Sequence, residues 1–404
     1  MTDETITPPS ALKHDSLVIS LIASSHFFSH LYQLALPSVF LLLHPYFNVS
    51  YVMLGSVVTG FYAVSGVLQT FAGILVDRYG SRPVLTAGIG LMATSIGLAG
   101  LVPQFWMLYP LLIIAGLGNS IFHPADFSAL SHHVSKERHG RAFSIHAFAG
   151  NLGYAASPII IGNLGIAFGW RLGLLVAGAM GWCMTFLLLR YGKNFMPDFH
   201  EEHAHGQIAR LSYWQVVTTP VIIFSFGYLL FTSSATGAMQ TFSTVTFVNH
   251  YHVDLTMAAA ALSAYLVSSA LGMLVGGVIA DRTTKHVRVA MTGLALAALC
   301  AASLAAGQLP FAAVMVIAGI MGFCQGTTAP SRDILVKHSA PPGSIGRVFG
   351  IVYSGGDAAL ASAPLVFGAL VDHHAYHAFF IGIAILYLIG IVTVTTIGHK
   401  QSRA

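Results

Sequence analysis

Charge is what this sequence has least of. Only 8% of its 404 residues are Asp, Glu, Lys or Arg, against about a quarter in an ordinary soluble domain. So few charges cannot cover a surface that faces water on all sides, and lipid is the expected solvent for most of the chain. Cysteine is scarce as well. Cys183, Cys300 and Cys324 sit inside apolar runs, which leaves them as small core residues and excludes a disulfide framework. There is no phosphate-cradling glycine loop, no nucleophile–base pair and no haem motif, so neither an ATP-driven pump nor an enzyme is expected, and no cofactor. The net charge of +4 carries no nucleic-acid reading; what matters is where the positive charges fall. The first fifteen residues are polar, with Pro8, Pro9, Lys13 and Asp15, and form no cleavable signal pattern.

What is present is apolar length. Stretches of roughly twenty residues or more cross a bilayer as helices, because only there are all backbone groups satisfied within the segment. Twelve are predicted, at 16–43, 51–76, 83–102, 105–130, 140–168, 170–192, 214–248, 257–281, 287–307, 310–336, 345–371 and 376–398. Loops after even-numbered spans hold the basic residues: Arg78 and Arg82, Lys136 and Arg138, Arg190 with Lys193 and Arg210, Arg282 and Lys285, Lys337, then Lys400 and Arg403. Loops after odd-numbered spans hold almost none, Arg171 being the clear exception. By the positive-inside rule both termini and the central loop are cytoplasmic, as in a multi-pass protein of the inner or plasma membrane.

The chain also repeats itself. Pro124, His132, Gly140, Arg141, Phe143, Ile145, Gly150, Pro158 and Gly162 recur 206 residues later as Pro330, His338, Gly346, Arg347, Phe349, Ile351, Gly356, Pro364 and Gly368. The expected fold is all-α, with twelve transmembrane helices in two parallel, pseudo-symmetric six-helix bundles. A tail at 1–15 leads to one bundle at 16–192; a linker at 193–213 leads to the second at 214–398 and a tail at 399–404. Parallel halves place a binding site near the midplane between them, exposed to each side in turn as the halves rock.

The stretch Gly73-Ile-Leu-Val-Asp77-Arg78-Tyr-Gly80-Ser-Arg82-Pro83 recurs in weakened form as Gly277-Val-Ile-Ala-Asp281-Arg282. It resembles the cytoplasmic loop signature of the major facilitator superfamily, and the resemblance implies a latch that holds the cytoplasmic side shut. Gly73 would let two helices approach, Asp77 would cap a neighbouring helix N-terminus, and Arg78, Arg82, Asp281 and Arg282 would complete the gate. Spans four and five resemble the fosmidomycin-resistance group of exporters, through Gly118-Asn-Ser120-Ile-Phe122-His123-Pro124, Arg138-His139-Gly140, Gly150-Asn151-Leu-Gly153 and Ser157-Pro158. In that group a carboxylate commonly follows His-Pro directly. Here Ala125 takes that place and Asp126 follows, turned by about 100° around the helix. Gly150, Gly153 and Pro158 also resemble the fifth-span signature of proton-coupled antiporters, with Ser157 in place of the usual glycine.

Ionisable groups inside spans are costly and therefore mark function by default. His26 and His30 share a face of span one, and Gln33 extends it. In the superfamily the first, fourth, seventh and tenth spans line the cavity. His123 and Asp126 face roughly one way on span four; their repeat partners are Ala329 and Arg332. Asp126 is the expected proton carrier and Arg332 a fork for an anionic substrate group, with Asp333 beside it as a neutralising or proton-carrying acid. A plain Asp126–Arg332 or Arg332–Asp333 pair is the alternative. Span seven carries Tyr228, Thr232, Thr236, Gln240 and Thr244 on one stripe, and Thr232 and Thr236 are the partners of His26 and His30. Asp357 on span eleven pairs by repeat with Asn151 and is the second candidate proton carrier.

His200-Glu-Glu-His203-Ala-His205 reads as a solvated loop, and Met239, Met273 and Met321 as packing, so no metal site is expected. The leading expectation is a proton-coupled exporter of a small organic compound, working as a monomer in the bilayer. A proton-coupled importer of an organic acid or metal complex, and a transporter-like sensor, stay open beside it.

Overall fold

The computed structural model describes residues 9–195, 218–338 and 345–401. Among these, eleven helices are long and apolar enough to cross a membrane, and a bent pair makes the twelfth. In chain order they are α1 (Pro9–Gln33, continued by Pro37–Phe47), α2 (Tyr51–Tyr79), α3 (Ser81–Ala99), α4 (Phe105–His133), α5 (Lys136–Phe168), α6 (Trp170–Phe195), α7 (Pro220–Tyr251), α8 (Leu255–Arg282), α9 (His286–Leu304), α10 (Phe311–His338), α11 (Ile345–Asp372) and α12 (Tyr376–Gln401). No strand occurs among the described residues. The predicted linker and its histidines His200, His203 and His205 lie outside them.

Breaks in the helices follow proline chemistry. α1 bends by 46° between Gln33 and Pro37. α4 is interrupted at Ile121, where Pro124 has no N–H for the carbonyl of Ser120. α5 widens into a π-turn at Pro158–Gly162, a common response to a missing donor. Pro330 and Pro364, the repeat partners of Pro124 and Pro158, sit within unbroken helices. The first bundle therefore carries more local distortion than the second.

The repeat survives in fine detail. Asn48 and His252 end α1 and α7 in the left-handed conformation, at φ 51° and 53°. Two residues on, Ser50 accepts from Met53 N at 3.2 Å and Asp254 from Met257 N at 2.8 Å, each capping the following helix. Within each half the same helix pairs lie against each other: α1 on α5 and α6, α2 on α4, α3 on α4 and α6, repeated as α7 on α11 and α12, α8 on α10, α9 on α10 and α12.

Among the described residues, contacts between halves run mainly through α2 against α11 and α5 against α8, and their side-chain hydrogen bonds lie toward one end. Backbone N–H groups of Tyr51 and Val52 donate to Asp372, Thr59 Oγ1 donates to Ala361 O at 2.7 Å, and Ser263 Oγ donates to Ala155 O at 3.0 Å. At the opposite end a Cβ built on Gly73, Gly140, Gly277 or Gly350 would meet nothing within 4 Å. The halves thus close on the Tyr51–Asp372 side and part on the side of the α2–α3 and α8–α9 loops.

The first helix starts earlier than the polar tail predicted. It runs from Pro9, and Asp15 is buried because Ser135 N, Ser135 Oγ and Arg138 all donate to its Oδ2, at 3.3, 2.6 and 2.7 Å. This tie extends α1 along the α4–α5 turn.

Candidate functional site

The site begins with two glycines. A Cβ on Gly150 would stand 2.7 Å from His26 Cδ2 and 2.8 Å from His30 Cε1; one on Gly153 would stand 2.1 Å from the carbonyl oxygen of Phe27. Only glycine at these places lets α5 lie against α1 so closely. That approach carries His146 of α5 into the face of α1 that bears His26 and His30.

Asp126 of α4 lies at the centre and is wholly buried. His146 Nε2 and Asp126 Oδ2 share a hydrogen bond of 2.8 Å, in which the imidazole is the donor when the carboxylate is ionised. His26 Nδ1 is 2.9 Å from the same oxygen, but off the bond direction, and it has no hydrogen-bond partner. Asp126 Oδ1 and His30 Nδ1 are likewise buried without partners. The rings form a cluster: His26 stacks on His146 at 3.7 Å between centroids, with His30 at 4.4 Å and His123 at 5.4 Å from His26. His123 itself is exposed, as is its neighbour Phe127, so the cluster reaches the surface of the bundle on that side. A buried carboxylate left with an empty acceptor costs several kcal/mol, a cost retained where an ion or proton is to be received.

A polar chain runs on from the cluster. The His30 ring packs tilted against that of Tyr154, with centroids 4.2 Å apart. Tyr154 donates to Gln33 Oε1 at 2.7 Å, Tyr62 donates to the same oxygen at 3.3 Å, and Gln33 Nε2 donates to Asn119 Oδ1 at 3.2 Å. Asn119 Nδ2 then donates to Ser65 Oγ at 2.8 Å. Close to its end, the Cβ of Asp357 on α11 lies 2.9 Å from where a Cβ on Gly66 would stand.

His26, His30, Gln33, His123 and Asp126 are thus brought together. His146, Tyr62, Asn119 and Tyr154 join them and were not foreseen. His146 carried a usable signal: it is an ionisable residue inside an apolar span, the criterion that singled out His26. Single ligand atoms of His26, Asp126 and His146 all lie within 4.8 Å of one another, a grouping the sequence reading did not include.

The second half is different. Arg332 Nε donates to Asp333 Oδ1 at 3.0 Å, Tyr353 donates to the same oxygen at 2.8 Å, and the guanidinium sits 5.6 Å over the Tyr353 ring. Of the two pairings open for Arg332, the one with Asp333 is present, and among the described residues Asp126 is held by histidines instead. Thr232 and Thr236 donate to carbonyls of their own helix, and Gln240 and Thr244 are buried in a stretch of α7 that packs against the bend of α1. This part of the stripe lies in the closed end. Tyr228 is buried, its hydroxyl without a hydrogen-bond partner.

The predicted latch is undone in this conformation. Asp77, Arg78, Asp281 and Arg282 are exposed, and among the described residues neither Asp77 nor Asp281 forms an ion pair. Arg78 lies over its neighbour Tyr79, and Arg82 borders an apolar groove of about 850 Å3 between α3, α4 and α6 that includes none of the cluster. Gly73 approaches no helix, because the halves have parted there.

Comparison with known proteins places this geometry. The chain is 26% identical over 401 residues to an uncharacterized MFS-type transporter, YfnC, of Bacillus subtilis, covering 97% of this chain and 95% of that protein. It is 22% identical over 393 residues to the fosmidomycin resistance protein of Escherichia coli, covering 93% and 92%. Among solved structures, a bacterial homolog to the human lysosomal transporter Spinster, in an inward-facing and occupied conformation, superposes with a TM-score of 0.74 at 14% identity, covering 96% of this chain and 97% of that one. The Major Facilitator Superfamily model matches residues 21–249 and again 224–403. The chain therefore belongs to the Major Facilitator Superfamily of membrane transporters.

Proposed function

We propose that the protein is a proton-coupled exporter of a small organic solute, resident in the inner membrane with both termini in the cytoplasm, and that Asp126 carries the proton. The observation behind this reading is the wholly buried Asp126 carboxylate, hydrogen-bonded to His146 and abutted by His26, with exposed His123 one helical turn away. A proton arriving by way of His123 neutralises the carboxylate and removes the penalty of burying its charge. Substrate takes its place when the proton leaves. His30, Gln33 and Tyr154 offer hydrogen bonds to it from the first half, and Arg332 offers charge from the second.

In this reading the parted end faces the cytoplasm, where the basic loops lie. Gly73, Asp77, Arg78, Arg82, Asp281 and Arg282 then close that end in the other half of the cycle. The resemblance to a fosmidomycin resistance protein supports a phosphonate-like anion as a first substrate to try. The test is accumulation of labelled fosmidomycin in inside-out vesicles with an acid interior. Acid-driven accumulation that is lost on collapsing the gradient bears the proposal out. Accumulation independent of the gradient refutes the coupling, and binding without movement turns the protein into a sensor.

A further inference from the structure

We propose that His26, Asp126 and His146 form a binding site for a divalent transition-metal ion of the zinc class, independently of what the protein transports. One ligand atom from each lies within 4.8 Å of the other two. The chemistry of the set is specific. Two imidazoles and one carboxylate suit Zn2+, Co2+ or Ni2+. The set lacks the shell of oxygens that Ca2+ or Mg2+ needs and the thiolates that favour Cu+.

The distances are nearly right, and the His26 and His146 rings, stacked at 26°, must turn for their nitrogens to converge on an ion. Tetrahedral zinc with bonds of about 2.0–2.2 Å holds its ligand atoms about 3.4 Å apart. Asp126 Oδ2 is 2.8 Å from His146 Nε2 and 2.9 Å from His26 Nδ1, so each contact must open by about half an ångström to admit the ion. Two atoms have nothing else to bond: His26 Nδ1 and Asp126 Oδ1 are buried without hydrogen-bond partners. Three protein ligands leave a fourth position open, as in exchangeable zinc sites. His30, whose ring lies 4.4 Å from that of His26, stands beside it, and exposed His123 marks the way in.

The three ligands come from α1, α4 and α5, all in one half. The ion would therefore stay within that half, competing there with the proton for Asp126, and opening of the interface between halves would not pull the site apart. This separates it from a gate built across the two bundles.

The test uses the full chain in detergent, without an affinity tag, stripped with chelator, and with His200, His203 and His205 changed to Ala so that the linker cannot contribute. The expected result is one Co2+ per chain with the intense visible spectrum of low-coordinate cobalt, displaced by Zn2+ and unaffected by Mg2+. His146→Ala and His26→Asn should each weaken Co2+ binding by about tenfold or more. No stoichiometric Co2+, or the same affinity in both variants, overturns the site. If a variant does not fold, the parent chain decides the matter: Zn2+ must raise its melting temperature where Mg2+ does not, and the absence of that rise is equally fatal. No substrate or gradient enters these measurements. Failure here leaves the transport proposal standing, and loss of gradient-driven movement leaves a metal site standing.

Discussion

The carboxylate of Asp372, at the end of α11, accepts the backbone N–H of Tyr51 at 2.6 Å and that of Val52 at 2.9 Å, capping α2 from the opposite half. α8, the repeat partner of α2, is capped by its own Asp254. The arrangement is a tie between halves, made at the end where they touch. Charge-assisted bonds to a helix N-terminus contribute about 1.5 kcal/mol, close to a factor of ten in an equilibrium. Asp372→Ala should shift the population toward opening at this end by about that factor. Spin labels at residues 49 and 374 would read it as a longer distance population, and an unchanged distribution would remove Asp372 from the gate.

Asp77 is the counterpart at the parted end, and it touches no partner among the described residues. Asp77→Asn should therefore change the stability of this conformation by no more than about 0.5 kcal/mol, read as a nearly unchanged melting temperature. Transport should fall, because the charge is needed only when that end closes. A variant that transports at the normal rate would leave the latch without a role.

Much of this was legible in the sequence, and the reasons differ by element. Twelve spans follow from apolar length, and two parallel halves from identities such as Gly150 with Gly356. The conformation was not legible, since Gly73 reads as a close-approach glycine in any state, yet here it faces a gap. Nor was the centre of the site. His146 and Asp126 are twenty positions apart on different helices, and only the contact of α5 with α1 and α4 makes them partners. Of the alternatives the sequence left open for Arg332, the pair with the adjacent Asp333 is the one present.

Gly153 tests that helix contact directly. A methyl there would meet the backbone carbonyl of Phe27, which cannot swing aside as a side chain can. Overpacking of this kind costs about 1–3 kcal/mol. Gly153→Ala should lower the melting temperature by several degrees, while Gly73→Ala, with open space around it, should not. Equal melting temperatures for the two variants would mean that α1 and α5 pack more loosely than described.

Asp126→Asn keeps the volume of the side chain and an oxygen for His146, but it cannot release a proton near neutral pH. It should abolish uphill movement driven by a pH gradient while sparing exchange of substrate for substrate. Both are read in the same vesicles. Uphill movement by the variant would pass the carrier role to Asp357, which lies at the α2–α11 contact.

His30 separates binding from packing. It is half-buried, its ring tilted against those of His26 and Tyr154, and its Nδ1 has no hydrogen-bond partner. A ring placed only to fill space needs no nitrogen, so a half-buried imidazole beside Asp126 favours a contact with substrate over packing. Losing one hydrogen bond of about 1 kcal/mol or somewhat more lowers apparent affinity roughly five- to tenfold. His30→Ala should show that loss, with a melting temperature close to the parent's because Tyr154 keeps its bond to Gln33. A packing residue would behave in the opposite way: the cavity left by the ring would lower the melting temperature and leave affinity intact. Both quantities are measured on one purified variant, and unchanged affinity with a lowered melting temperature would take His30 out of the site.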